Sequence, residues 1–179
     1  NTVRDSLVAA SVLCALNRRA DVVTMANLAQ TVNVLQCVVQ TDERAAWPTP
    51  TYRVFHAYKP HMDATAVRTL VETDTKALPE EDHDLPLLEA SASRTTDGIF
   101  VTLVNRDLAD RRVRISSSMA AGSSDPTATA LFADDPVDSY STRDTADRFA
   151  PEEWPVERDD GSLVLDVPAS AVVTVDVPT

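Results

Sequence analysis

Four side-chain amides lie in a mostly apolar stretch of this chain, and their chemistry is that of binding rather than of packing. The amides are Asn27, Gln30, Asn33 and Gln36, within residues 20–36. An apolar strand needs no amides, and a buried amide without partners costs about 1–3 kcal/mol. Each amide offers two donors and an acceptor. The pattern therefore predicts a strand whose far end opens into a polar site.

Other side chains that could bind a metal ion lack the spacing for it. His56, His61 and His83 have no Cys or carboxylate at metal-ligand spacing, so we expect surface or helix-end histidines. The acidic pair Asp134 and Asp135 lacks the ligand spacing of a calcium loop and is expected to be solvated. The sequence therefore predicts no metal site.

The charge balance is strongly acidic. The 179 residues carry 28 Asp and Glu against 16 Lys and Arg, a net charge of −12, and Lys59 and Lys76 are the only lysines. Binding to nucleic acid or to an anionic membrane surface requires clustered basic side chains, so both partners are excluded. An Asp-rich, Lys-poor surface favours a halophilic source over a merely acidic protein at ordinary salt.

Cysteine content and hydropathy limit the class further. Cys14 and Cys37 are too few for a disulfide framework and lie among apolar residues, so buried free thiols are expected. No basic-then-apolar leader and no apolar run of about 20 residues occur, which predicts no targeting or membrane-spanning segment.

Residues 1–63 show the alternation of a parallel α/β layer. Thr2 can cap a helix that runs to about Arg19. Residues 22–26 are an apolar run typical of a strand buried on both faces, and residues 51–62 predict a second helix whose end Pro60 loosens. Residues 31–39 are expected to form a loop or short helix, and residues 42–50 a break. One strand cannot form a sheet, so this part must dock onto a layer outside the chain, and we expect the chain to be part of a longer protein.

Residues 64–179 are rich in alternating apolar and polar positions. About seven short strands with turn signals between them predict an antiparallel β-sandwich. The best strands are residues 98–105, 111–118, 127–132, 162–167 and 171–177, and the weaker ones are 67–71 and 87–92. Residues 134–155 are polar and are expected to be a long excursion.

Several blocks resemble the C-terminal part of α-L-arabinofuranosidases of glycoside hydrolase family 51. They are NTVRDSLVAASVLCALNRRADVVTMANLAQTVNVLQ, TPTYRVFHAYKPHMDAT, EASASRTTDGIFVTLVNRD, DSYSTRDTADRFAP and GSLVLDVPASAVVTVDV. The resemblance implies the last helix, strand and helix of a (β/α)8 TIM barrel over residues 1–63. It implies a jelly-roll-like antiparallel β-sandwich over residues 64–179.

The resemblance also implies an activity, retaining hydrolysis of terminal α-L-arabinofuranosyl groups in arabinan, arabinoxylan and small arabinosides. Retention needs two carboxylates about 5–5.5 Å apart. In the family both are Glu at the ends of earlier barrel strands, outside this chain. Glu152 and Glu153 lack the barrel context, so we assign no catalytic residue here and expect the chain alone to be inactive.

Gln30 is the one site residue that the resemblance supplies. It matches a family glutamine that hydrogen-bonds the arabinofuranosyl ring, and barrel active sites lie at the carboxyl ends of strands. Asn27 is expected to make a structural hydrogen bond, and Asn33 and Gln36 to stabilise a loop. Trp47 and Trp154 could stack on a sugar, but packing at domain edges is the favoured interpretation.

The resemblance further implies arabinofuranosyl saccharides as partners, no cofactor, an intracellular location and assembly into homo-oligomers. The rival hypothesis is a non-catalytic β-sandwich that binds carbohydrate or packs against a partner. An aromatic platform on one sandwich face would favour that rival. A different family of barrel glycosidases with a similar tail is a third alternative.

Overall fold

The computed structural model describes residues 1–28, 30–79, 82–117, 124–133, 135 and 139–179. Helix α1 spans Val3–Arg18 and helix α2 spans Pro50–Ala57. The backbone N–H of Thr2 donates to Asp5 Oδ2 at 2.7 Å, which satisfies a free donor at the start of α1. Short 3-10 turns follow at Lys59–His61 and Ala146–Phe149.

Thirteen strands lie in the described residues. In chain order they are β1 (Val39–Thr41), β2 (Ala46–Pro48), β3 (Thr65–Val67), β4 (Thr75–Lys76), β5 (Leu85–Pro86), β6 (Leu88–Arg94), β7 (Gly98–Asn105), β8 (Arg111–Ile115), β9 (Thr127–Leu131), β10 (Glu152–Trp154), β11 (Glu157–Asp159), β12 (Ser162–Val167) and β13 (Ala171–Pro178). They form a six-stranded sheet in the order β10-β9-β13-β7-β6-β3, a three-stranded sheet β11-β12-β8, and the small pairs β1-β2 and β4-β5. Every paired strand in these sheets is antiparallel.

The main core lies between the six-stranded and three-stranded sheets. Leu103 on β7 and Val173 on β13 face Leu163 and Val167 on β12, and each of these side chains is at most 2% exposed. Alternate residues of antiparallel strands share one face, so one side of each strand supplies this core. The two sheets therefore form the predicted antiparallel β-sandwich.

The other face of the six-stranded sheet is covered by the two helices. Cys14 on α1 and Val54 on α2 pack with Val104 on β7 and Val172 on β13. Strand β7 is consequently buried along all eight residues, because it has the second sheet on one side and the helices on the other. The molecule thus has three layers: helices, six-stranded sheet and three-stranded sheet.

Most predicted elements are confirmed. The helix capped at Thr2 and the strands at 98–105 and 162–167 occur where expected. The second helix, predicted over residues 51–62, ends earlier, at Ala57, and a separate 3-10 turn at Lys59–His61 follows it. Of the strand predicted over residues 67–71, only Val67 lies in a strand, at the end of β3. The strand predicted over 111–118 ends at Ile115, and Ser118 lies outside the described residues. The predicted excursion over 134–155 contains a 3-10 turn and strand β10.

The strand predicted over residues 22–26 is wrong for this chain. Residues 23–28 have no regular secondary structure, and Val22 and Met25 are 65% and 75% exposed. A parallel strand is held by hydrogen bonds to neighbouring strands, and no described strand lies beside these residues. The break expected over residues 42–50 also differs, because β1 and β2 form a hairpin there.

Candidate functional site

Gln30 lies in the exposed segment that follows α1. Its side chain is exposed, and the backbone around it is irregular. The amide is therefore accessible to a ligand, which is the condition for the predicted binding role. Asn27 is exposed in the same segment, so the structure shows no buried position for it.

The segment around Gln30 also exposes large apolar side chains. Val22 and Met25 precede it, and Val32 and Leu35 follow it with 46% and 91% of their surfaces exposed. Single exposed apolar residues are ordinary, but four within fourteen positions concentrate apolar exposure in the segment that carries Gln30.

Asn33 stabilises the loop after Gln30, as the sequence predicted. Its Nδ2 donates to the Thr41 hydroxyl at 2.7 Å, and its Oδ1 accepts from the Thr41 backbone N–H at 2.7 Å. The carbonyl of Thr31 accepts from Val38 and Val39, both at 3.1 Å. Asn33 and Gln36 have left-handed φ angles of 54° and 58°, which an Asn side chain tolerates well. The segment from Thr31 to Asn33 is thus hydrogen-bonded to strand β1 and to Val38, which precedes that strand.

A polar cluster that the sequence did not predict joins the helices to the sheet. His61 Nδ1 lies 2.8 Å from the Ser93 hydroxyl, and Nε2 lies 2.9 Å from the Thr102 hydroxyl. Asn17 Nδ2 contacts both His61 Nδ1 and the Ser93 hydroxyl at 3.3 Å. The ring meets Phe100 edge-on at 5.0 Å between centroids. Burial lowers the pKa of His61 from 6.5 to about 4, so the ring is neutral at pH 7.

The expectation of a helix-end histidine holds for His61, but its ring is largely buried. His56 lies near the end of α2 and His83 in a loop, and both are exposed, as expected. No signal in the sequence marks the His61 contacts, because Asn17 on α1, and Ser93 and Thr102 on the neighbouring strands β6 and β7, all lie far from His61 in the chain.

The two cysteines are free and buried, as predicted. Cys14 Sγ lies 3.0 Å from the Tyr58 hydroxyl, which donates to the carbonyl of Ala10 at 2.9 Å. Burial raises the pKa of both the Cys14 thiol and the Tyr58 phenol, so both stay protonated at neutral pH. The contacts of the Tyr58 hydroxyl therefore hold α1 and α2 together, and the Cys14 thiol is not a reactive thiolate.

The acidic pair Glu152 and Glu153 lies on β10, at the outer edge of the six-stranded sheet, and both side chains are exposed. Among the described residues, no group of three or more His, Cys, Asp or Glu could hold a metal ion. No described helix has the length and apolar character needed to cross a membrane.

The tryptophans make packing and hydrogen-bonding contacts, as the favoured interpretation expected. Trp154 meets Phe132 edge-on at 5.3 Å between centroids, and its ring N–H donates to the carbonyl of Asp166. Trp47 Nε1 donates to Gln40 Oε1 at 3.3 Å within hairpin β1-β2.

Clefts open on both sides of the six-stranded sheet. The larger, about 1100 Å³, lies between β8 and the β6-β7 side of the opposite sheet, under residues 67–74. No aromatic side chain is among the described residues that line it, so this cleft does not supply the aromatic platform that would favour the rival carbohydrate-binding hypothesis. The smaller, about 340 Å³, lies between α2 and the six-stranded sheet.

The sequence matches the family described as "Alpha-L-arabinofuranosidase C-terminal domain" over residues 1–170. The match covers nearly the whole chain, including the helices, the exposed segment with Gln30 and almost all of the sandwich. This chain belongs to that family.

Individual proteins similar to this chain are arabinofuranosidases, in agreement with the family match. An intracellular exo-α-L-arabinofuranosidase of Bacteroides ovatus is 30% identical over 179 residues, which are 99% of this chain and 34% of that protein. The crystal structure of a family 51 arabinofuranosidase from Xanthomonas axonopodis pv. citri is 29% identical with a TM-score of 0.87, over 98% of this chain and 35% of that one. An arabinose complex from Thermotoga maritima, 23% identical, has the same fold with a TM-score of 0.85, over all of this chain and 39% of that one. The chain thus spans about a third of the length of these relatives.

Proposed function

We propose that this chain is the C-terminal portion of a retaining α-L-arabinofuranosidase that releases terminal α-L-arabinofuranosyl groups from arabinan, arabinoxylan or arabino-oligosaccharides. In this proposal residues 1–63 complete a (β/α)8 barrel, and residues 64–179 form the accessory sandwich. Gln30 contacts the sugar, and the catalytic carboxylates come from outside the chain. The enzyme is intracellular and forms homo-oligomers.

The observation that carries the proposal is the family match over residues 1–170, together with relatives that are arabinofuranosidases and extend well beyond the matched third. A match along nearly the whole chain supports common architecture as well as common fold. Fold alone would not support an activity, because one fold hosts many functions.

The exposed segment after α1 is consistent with a barrel whose other strands lie outside this chain. Residues 23–28 have no regular secondary structure and pair with no described strand, and Val22, Met25 and Leu35 remain largely exposed. Neighbouring parallel strands would satisfy that backbone and bury those side chains. In a closed barrel, Gln30 would then lie just beyond the carboxyl end of the strand, where barrel enzymes place their active sites.

A chimera tests the proposal. The matched third of the Xanthomonas relative is replaced by this chain, and hydrolysis of 4-nitrophenyl α-L-arabinofuranoside is measured alongside the isolated chain. We expect the chimera to hydrolyse this substrate and the isolated chain to be inactive. A folded chimera without activity, or an active isolated chain, would contradict the proposal.

A further inference from the structure

The smaller cleft, between α2 and the helix-facing side of the six-stranded sheet, has features of a ligand site that the proposed function does not use. Its volume of about 340 Å³ is at the lower end of the range for small-molecule sites. The cleft is lined by residues of α2, by two prolines, and by residues of strands β7, β9 and β13.

The clearest polar feature of this cleft is Arg53. Its Nε is buried and has no hydrogen-bond partner among the described residues. Its NH2 donates to the carbonyl of Ala146 at 3.4 Å and lies 3.5 Å from Asp147 Oδ1. The NH2 group of the guanidinium is therefore held in place and its charge is compensated. Nε is shielded from the cleft by its burial, so the exposed part of the guanidinium, on a side chain that is 21% exposed, supplies the donors for a ligand.

Two hydroxyl groups lie on the sheet side of the cleft. Thr174 on β13 pairs in register with Thr129 on β9, and both line the cleft. Directly opposite residues of antiparallel strands have side chains close together on one face, so the two hydroxyls are neighbours. Each can donate one hydrogen bond and accept others.

Apolar and aromatic groups complete the walls. Tyr52 and His56 stack on α2 with ring centroids 6.0 Å apart and an interplanar angle of 28°. Phe100, Leu131 and Pro151 lie on the opposite walls. The cleft thus combines apolar surface with one guanidinium donor and two neighbouring hydroxyls.

We propose that this cleft binds a neutral polyhydroxylated molecule of about one sugar ring. A sugar presents hydroxyl acceptors to the exposed part of the Arg53 guanidinium and to the threonines, and a C–H face to the apolar walls. An anion is disfavoured because Asp147 already pairs with Arg53 and the chain carries a net charge of −12. A cation is disfavoured by the guanidinium itself. The site is separate from Gln30 and does not depend on the arabinofuranosidase proposal.

The test is a titration of the isotope-labelled 179-residue chain with L-arabinose and with D-xylose, followed by amide chemical shifts. Glycerol and sodium acetate at matched concentrations are the controls for a non-specific polyol and for an anion. We expect saturable shifts at residues 52–57, at Thr129 and at Thr174 with at least one pentose. Equal shifts with glycerol, stronger binding of acetate, or no saturable shift would overturn the proposal.

Variants assign the binding to the cleft. Arg53→Met removes the guanidinium from the cleft wall and should weaken pentose binding about tenfold, whereas Arg44→Met in the exposed loop between β1 and β2 should leave it unchanged. Thr174→Val removes a hydroxyl with little change of shape, and it serves as the second variant if Arg53→Met loosens the fold. Folded variants at both positions that bind as tightly as the parent chain would exclude the site.

Discussion

His61 Nε2 lies 2.9 Å from the hydroxyl of Thr102, so the turn after α2 is hydrogen-bonded to the middle of the central strand β7. The other ring nitrogen contacts Ser93 on β6 at 2.8 Å. One imidazole therefore joins the helical layer to two neighbouring strands of the six-stranded sheet. It can do so in the neutral form, in which one nitrogen donates and the other accepts.

The His61 contacts predict a stability that falls in mild acid. The pKa in the folded chain is about 4, below the ordinary value of 6.5, because burial disfavours the charged ring. The unfolded chain therefore binds a proton first as the pH falls. The contribution of His61 is complete above pH about 6.5 and is lost progressively toward pH 4, by about 1–3 kcal/mol. Urea unfolding at several pH values measures it.

Carboxylates titrate in the same range, so the decisive quantity is the difference between variants. His61→Gln should flatten the pH dependence of the unfolding free energy between pH 4 and 6.5. His83→Gln, at an exposed histidine, should keep it. Parallel curves for the parent chain and His61→Gln would show that the ring is not held neutral.

Removal of the Tyr58 hydroxyl should destabilise the packing of the two helices. The Tyr58→Phe change deletes the donor to the carbonyl of Ala10 and the contact with Cys14 Sγ, and should cost about 0.5–1.5 kcal/mol. Tyr140→Phe is the matched control, because Tyr140 is 59% exposed. Equal unfolding free energies for the two variants would deny the Tyr58 hydroxyl a structural role.

Gly98 and Gly161 should respond differently to alanine. A Cβ at Gly98 would overlap the backbone carbonyl oxygen of Val177 on the paired strand β13, so the strands must separate. Gly161 has open space around it but a φ of 73°, which costs an alanine only about 1 kcal/mol. We expect Gly98→Ala to lower the unfolding free energy by about 3 kcal/mol or more. If thermal denaturation shows that Gly98→Ala and Gly161→Ala lower the unfolding free energy by similar amounts, the overlap inferred at Gly98 is contradicted.

Salt should stabilise the fold. The 28 acidic groups against 16 basic ones repel one another, and screening over about 3 Å at 1 M salt relieves this. Exposed pairs on the three-stranded sheet, such as Arg112 with Asp166 at 3.1 Å, oppose the trend but are each worth little. Thermal midpoints are compared in sodium chloride and in an uncharged osmolyte of matched water activity. A flat response, or an equal rise in both, would count against the halophilic prediction.

The individual strands of the sandwich could be predicted from the sequence because each is marked by a pattern among neighbouring residues. The alternation in residues 162–167 indicates which side chains of that strand face the core, and the strands at 98–105 and 162–167 both form at the predicted bounds. The same applies to α1, whose cap at Thr2 and buried stripe lie close together in the chain. The pairing order of the strands depends on distant contacts, and periodicity does not reveal it.

The site could be predicted only in part. The loop role of Asn33 follows from its type and position, but the contacts of His61 and Arg53 depend on elements that meet only in three dimensions. The failure at residues 22–26 has a different cause. Their apolar character favours a buried strand, yet the neighbours that would pair with a strand are not among the described residues.

The most direct test of the central proposal is kcat/KM of the arabinofuranosidase chimera with and without Gln30→Ala. Loss of hydrogen bonds to a neutral sugar is worth about 1–3 kcal/mol, so kcat/KM should fall roughly 10- to 100-fold. Gln40→Ala, at an amide of hairpin β1-β2, should leave kcat/KM within about twofold. An unchanged kcat/KM for a folded Gln30→Ala chimera would contradict the assignment of Gln30 to the sugar site.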